Sequence, residues 1–242
     1  MAAVALAAVW FGGVALWLLA SLAALGMLVE WAGLAKATMA RLILAVAAMA
    51  LGLALACPGW WGTDRATVAA MVSLALLVGI VGGSGRLGLG LCYAGLPAIA
   101  LLFLRDRPHG FSLALWTLAI VWATDIGAYF AGRAIGGPLL APRLSPKKTW
   151  AGLGGGMVAA ALTGAAIAAV GGFAGAFLWL GAPLAVLAQL GDLYESALKR
   201  RAEVKDSGRL LPGHGGLLDR LDGLVPVAIL VAALVAGGVL AP

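Results

Sequence analysis

Residues 150 to 191 read WAGLGGGMVAAALTGAAIAAVGGFAGAFLWLGAPLAVLAQLG, 42 positions without a charged side chain. One helical crossing of a bilayer takes about 20 apolar residues, so the run is long enough for two spans, with Gly171-Gly172 as the natural break. It marks the chain as an all-α integral membrane protein. The run ends at a segment of opposite character, residues 191 to 222, GDLYESALKRRAEVKDSGRLLPGHGGLLDRLD, where 12 of the 26 charged residues fall between Asp192 and Asp222. An apolar chain that gathers its charge in one place is expected to do its chemistry there.

The composition agrees. At 63% hydrophobic, 11% charged and a mean hydropathy of +1.06, the 242 residues lie far from the quarter-charged average of soluble domains. They are better divided into spans than into soluble domains, giving about eight transmembrane helices in one polytopic domain over 1–242. Within it, helices in 1–104 precede a catalytic half, 111–242. Cys57 and Cys92 lie in apolar segments without metal-ligand spacing and read as structural. The net charge of +6 orients membrane helices and attracts anionic lipid or nucleotide phosphates; no nucleic-acid partner is expected.

Outward from the opening run, the remaining spans are bounded by polar interruptions. Residues 1–29 carry no charge and, lacking a basic leader, read as a first span ending at Glu30-Trp31, with Trp31 suited to the interface. The second covers about 41–61 and exits at Pro58-Gly59 and Trp60-Trp61; Asp64-Arg65 and Arg86 separate it from spans at 66–85 and 87–104. A fifth runs over 111–132, a polar loop over 133–149, and a last span over 223–241. Alternate loops then hold 13 and 3 Lys and Arg residues. By the positive-inside rule the loops 133–149 and 191–222 are cytoplasmic and both termini lie outside. Gly152 and Gly156, four apart, are expected to mark a close helix contact.

Five groups of residues offer chemistry. On a helix continuing past Gly191, Asp192, Ser196, Lys199, Arg200 and Glu203 share one face, an anionic ligand at the membrane edge with basic groups beyond it. Asp219 and Asp222 are an i, i+3 pair flanking Arg220. Oxygen ligands of this kind suit a hard cation such as Mg²⁺ near phosphates, although pairing with Lys and Arg at helix ends accounts for the spacing equally well. Between the groups, Leu211 to Gly216 is a glycine-rich turn in which His214 can contact phosphate or serve as a capping residue. His109, in a sparse loop, reads as structural.

Ser145-Pro146-Lys147-Lys148-Thr149 places adjacent lysines, good point charges for phosphates, in a Gly- and Pro-rich loop. The pattern GxxxxGK[ST] is absent, which argues against a P-loop. Asp125 lies inside the fifth span, where a carboxylate costs at least about 2.5 to 3.5 kcal/mol to insert and so is expected to face a polar cavity. Tyr129 and Arg133 follow on its face, and an ion pair of Asp125 with Arg133 is the structural alternative.

The set Ser196, Lys199, Arg200, Lys205, Asp206, Pro212, His214, Gly215, Gly216, Asp219, Arg220 and Asp222 resembles, in type and spacing, the signature of the phosphatidate cytidylyltransferases (CDP-diacylglycerol synthases). Asp125, Tyr129 and Gly132, followed by Ser145 to Thr149, are similar to that family's second conserved stretch, and Glu30-Trp31 to its early landmark. Motifs cover roughly 122–222; the first hundred residues match in hydropathy. Ala151 stands where members often have glutamate, and many members begin with a basic segment and a further helix before the region where this chain starts.

The resemblance implies transfer of the cytidylyl group of CTP to phosphatidate, giving CDP-diacylglycerol and pyrophosphate in phospholipid biosynthesis. It implies metal carboxylates at Asp192 and Asp219 binding one or two Mg²⁺ ions, with a monovalent cation also accommodated. It further implies catalytic roles for Asp222, Lys199, Arg200 and His214, and substrate contacts from Asp125, Tyr129, Ser145, Lys147, Lys148, Thr149, Ser196, Lys205, Asp206, Gly215, Gly216 and Arg220. The expected partners are CTP, phosphatidate and the bilayer, with small-residue helix faces offering a surface for a homodimer. The expected location is a bacterial inner membrane with the site facing the cytoplasm.

Competing readings are a CTP-dependent lipid-alcohol kinase, which would release CDP rather than pyrophosphate, and an ion-coupled transporter using Asp125, which leaves 192–222 without a purpose. A scaffold with a decayed site conflicts with the intact charged positions. A CDP-alcohol phosphotransferase needs an aspartate-rich motif that the chain lacks.

Overall fold

The structure is a computed structural model describing residues 2–173, 175–208, 210 and 215–240. In chain order the helices are α1 (Ala2–Phe11), α2 (Gly13–Leu34), α3 (Met39–Leu55), α4 (Arg65–Val81), α5 (Gly85–Arg105) and α6 (Gly110–Ile135). The strands β1 (Leu139–Ala141) and β2 (Ser145–Thr149) precede α7 (Trp150–Val170), α8 (Gly181–Arg201), the single turn α9 (Leu218–Leu221) and α10 (Leu224–Ala236). By length and composition α2, α5, α6 and α7 can cross a membrane; α1, α3, α4 and α10 are shorter apolar helices. The protein is an integral membrane protein. Its chain divides into two compact units, 1–107 with 201–221, and 108–200 with 222–242.

In the first unit α2 packs against α5, and α4 against both α3 and α5. The expected first span is two helices, because the chain breaks at Gly12, where φ is 63°. The Arg105 guanidinium lies against that break and donates to the carbonyls of Val9 (2.7 Å) and Trp10 (3.2 Å), satisfying the last carbonyls of α1. Asp64 is the N-cap of α4, accepting from the Thr67 N–H at 3.0 Å. Trp60 and Trp61 are exposed, as interfacial residues should be. Trp31 is not interfacial. It is buried, packs at a tilt against the Tyr93 ring at 4.9 Å and donates Nε1–H to the Arg86 carbonyl at 2.8 Å.

In the second unit the most extensive packing is α6 on α7. The backbones meet through small residues: a Cβ at Gly156 would lie 2.9 Å from the Thr124 carbonyl oxygen, and one at Gly152 3.0 Å from that of Ala128. The contact expected of Gly152 and Gly156 is therefore present. Trp116, fully buried, ties the pair by donating to the Gly164 carbonyl at 2.9 Å and meets Phe177 edge-on. His109 starts α6 in a left-handed conformation (φ 55°), with its ring edge-on to Phe173, a structural position.

Two expectations over 133–191 change. The polar loop contains an antiparallel hairpin pairing Leu139 with Thr149 and Ala141 with Ser145. Pro138, Pro142 and Pro146 conceal it, since proline is tolerated only where no ladder N–H is needed, as in a two-stranded ribbon. The uncharged run holds one full-length span, α7, and then turns over 171–173 and 175–180, so only 181–191 of α8 is apolar before the charged residues begin.

Candidate active site

In the second unit, α6, β2, α8 and the turn before α10 each contribute a charged or polar group. Thr149 ends β2 and caps α7, its Oγ1 accepting from the Gly152 N–H at 3.0 Å, which fixes the residue before it. That residue, Lys148, reaches α8: its Nζ lies 2.7 Å from Asp192 Oδ2 and donates to Gln189 Oε1 at 2.7 Å. Gln189 and Asp192 are i and i+3 on α8, so one lysine is gripped by two neighbours on a single helical face. Gln189 is only 6% exposed.

Gly191 brings the third element close. A Cβ there would overlap the Asp222 carbonyl and lie 3.0 Å from Pro226 Cγ, so the turn entering α10 rests directly on α8 beside Asp192. Asp222 accepts from the Gly223 N–H at 2.7 Å. Its carboxyl is pushed up to about 8, first by burial and then by the negative charge of Asp192, with a smaller push from Asp125, while the Gly223 N–H and Lys148 pull it down. Asp125, exposed on α6, lies within electrostatic reach of Asp192 and Lys148. Three carboxyl groups thus lie within electrostatic reach of one lysine.

The donor set suits a hard divalent ion, being oxygen only. Among the described residues no three carboxylate, histidine or cysteine groups gather round one point. Coordination would therefore rest on one or two carboxylates completed by water and substrate phosphates, the usual arrangement for Mg²⁺ in phosphoryl chemistry.

Further along α8, Lys199 pairs with Glu195 at 2.7 Å, and Glu195 is 1% exposed. Ser196 is partly buried and Arg200 exposed; Glu203, expected on the same face, lies beyond the helix end with φ 60°. On the hairpin Ser145 is partly buried and Lys147 exposed. Arg133 donates to Tyr129 Oη at 3.3 Å, a contact within the stripe below Asp125.

The first unit holds the other expected residues. Lys205 and Asp206 are exposed, as is Arg220. Asp219 Oδ2 accepts from the N–H of Ser207 (3.1 Å), the Ser207 hydroxyl (3.0 Å) and the N–H of Gly216 (2.9 Å). Gly215, at φ 83°, sits against the same carboxylate, its Cβ position 3.2 Å from Oδ2. His214 lies outside the described residues.

A sequence model of the Cytidylyltransferase family matches residues 1–237. The chain belongs to that family. Similar proteins named phosphatidate cytidylyltransferase include that of Brucella melitensis, 54% identical over 155 residues, 62% of this chain and 56% of the relative. That of Rickettsia bellii is 39% identical over 149 residues (58% and 64%), and that of Pseudomonas aeruginosa 40% over 183 residues (72% and 65%). The chain therefore spans little more than half the length of the Brucella relative.

Gln189 and Glu195 were not among the residues picked out by sequence. Both carried a signal: Gln189 stands three residues before Asp192 in a run otherwise almost free of long polar side chains, and Glu195 stands one turn before Lys199.

Proposed function

We propose that the protein transfers the cytidylyl group of CTP to phosphatidate, giving CDP-diacylglycerol and pyrophosphate. What carries the reading is Lys148, held at 2.7 Å from both Gln189 and Asp192 beside Asp125 and Asp222, in a membrane protein of the cytidylyltransferase family. A lysine gripped on two sides is a pre-organised point charge for phosphate, and carboxylates around it hold cations between two anionic reactants that would otherwise repel.

The phosphate monoester of phosphatidate is ionised at neutral pH and attacks the α-phosphorus of CTP; the bond to the β-phosphate oxygen breaks and pyrophosphate leaves. No protein base is needed for that attack. Mg²⁺ bound with the nucleotide would supply charge neutralisation at the α-phosphate and the leaving group. On this reading Asp192 and Asp219 are its carboxylates, and Asp222 assists. Lys147, Lys148, Lys199, Arg200 and Lys205 hold phosphates, with Ser196 and His214 shaping the site. The acyl chains stay in the bilayer; the excess of Lys and Arg on the loops 133–149 and 191–222 supports about eight spans with the site at the cytoplasmic face of a bacterial inner membrane.

The test is purified protein in detergent micelles with phosphatidate, Mg²⁺ and CTP labelled at the α-phosphate, run beside Asp192→Asn. Label in the lipid fraction with pyrophosphate released, both lost in the variant, is the expected result. Label remaining in soluble CDP when a lipid alcohol is offered would replace this reading with the kinase.

A further inference from the structure

Glu30 is 4% exposed on α2, yet its carboxylate spends its hydrogen bonds on a turn 187 and 188 residues further along the chain. Oε1 accepts from the N–H of Leu217 at 3.0 Å; Oε2 accepts from that of Leu218 at 2.9 Å and lies 3.1 Å from the Ser207 hydroxyl. The same hydroxyl is 3.0 Å from Asp219 Oδ2. One serine oxygen, with a single proton, is thus shared between two carboxylates, which ties the orientation of Asp219 to Glu30.

The surroundings leave room for nothing else. A Cβ at Gly208 or Gly216 would overlap the Glu30 carboxylate, and one at Gly26, a turn earlier on α2, would overlap the Leu217 side chain. The three glycines make a notch in which the turn carrying Asp219 is seated. A buried carboxylate is costly unless its bonds are made, and apolar side chains of similar size commonly hold a turn as well. Here the hydrogen bonds of Glu30 described above go to the two residues preceding Asp219 and to the serine that touches Asp219.

We infer that Glu30, acting through Ser207 and the Leu217–Leu218 backbone, is a positioning residue for the Asp219 carboxylate. The inference rests on Asp219 serving the cytidylyl-transfer site proposed above. In Glu30→Gln one backbone donor faces an amide N–H₂ instead of an acceptor; in Ser207→Ala the bridge is lost while the backbone clamp stays.

Both single variants and the double variant are compared with wild type and Asp219→Asn in detergent. Each is measured for kcat and KM with labelled CTP, for binding of Mn²⁺ alone by electron paramagnetic resonance, and for thermal unfolding. Expected per folded molecule is a kcat about 10- to 100-fold lower in each single variant with KM for CTP little changed, weaker Mn²⁺ binding in step with it, and a double-variant loss smaller than the product. The inference is overturned by unchanged kcat and Mn²⁺ binding in Glu30→Gln and Ser207→Ala, or by losses that only follow the folded fraction. Wild-type protein that transfers no label sinks the transferase reading itself. In that case parallel loss of Mn²⁺ binding in Glu30→Gln and Asp219→Asn still supports the positioning role, and intact binding in Glu30→Gln overturns it.

Discussion

Lys148 Nζ stands 2.7 Å from Asp192 Oδ2, joining a lysine of the hairpin to an aspartate one residue past the uncharged part of α8. On the function proposed above, lysine at this point serves two ends, neutralising part of the negative charge around Asp192 and presenting a cation to phosphate. The two separate in Lys148→Met. Turnover should fall by about 100-fold or more, as when a pre-organised electrostatic group is removed. Binding of Mg²⁺ without nucleotide should tighten, because the carboxylates lose the counter-charge of Lys148, which both Asp125 and Asp222 feel. Gln189→Leu keeps the charge and loosens its placement, so a loss of about tenfold is expected. Calorimetric Mg²⁺ titration beside the labelled-CTP assay checks both; weaker Mg²⁺ binding in Lys148→Met would count against the charge argument.

Much of this arrangement is legible in the sequence because charge is so rare in the chain. Asp125 stands out inside an apolar span, Lys148, Asp192 and Asp222 lie in the two polar segments that interrupt the apolar runs, and the long spans follow from uncharged length. What is not legible has physical reasons. Gly12 breaks an uncharged run without any polar marker, and Arg105, which secures the break, lies 96 residues away from Val9. The hairpin hides behind three prolines. The seating of Glu30 against Leu217 and Leu218 depends on glycine notches from separate parts of the chain, and no local periodicity reports a shape formed by long-range packing.

Asp222 gives a pH signature. Its carboxyl is raised from an ordinary value of 3.8 to about 8 by burial and by Asp192, so between those values the folded chain holds a proton that the unfolded chain has released. Stability contributed by this group is therefore greatest at low pH and declines as pH rises from about 4 towards 8. In EDTA at a fixed scan rate, the unfolding midpoint should fall between pH 5.5 and 8.5, and the fall should be shallower in Asp222→Asn. Mg²⁺, by neutralising the ionised cluster, should recover more of the midpoint at pH 8.5 than at 5.5. Equal slopes in the two proteins would count against the assignment.

The close approach at Gly191 separates packing from propensity. Gly191→Ala gains helix propensity, yet its methyl would overlap the Asp222 carbonyl and meet Pro226. Overpacking of this kind costs about 1 to 3 kcal/mol, and here it also displaces Asp222 from α8, so activity and unfolding midpoint should fall together. Gly154, mid-helix in α7 with nothing within 4 Å of its Cβ position, is the control. Gly154→Ala should be neutral or stabilising by up to about 1 kcal/mol, with activity retained.

Lys199 and Glu195 make a different kind of pair from Lys148 and Asp192. Glu195 is 1% exposed, and the ammonium of Lys199 lies 2.7 Å from its Oε2. Removing the lysine takes a close cation away from a buried carboxylate, a change that costs up to about 3 to 5 kcal/mol. Lys199→Met should therefore lower the unfolding midpoint as well as activity, whereas Lys199→Arg, keeping the cation, should recover the fold first. The double variant Glu195→Leu with Lys199→Met removes both charges and should be more stable than Lys199→Met alone. If it regains the midpoint but not turnover, Lys199 acts on substrate in addition to sealing Glu195. Recovery of both by the double variant would assign the lysine a structural role only.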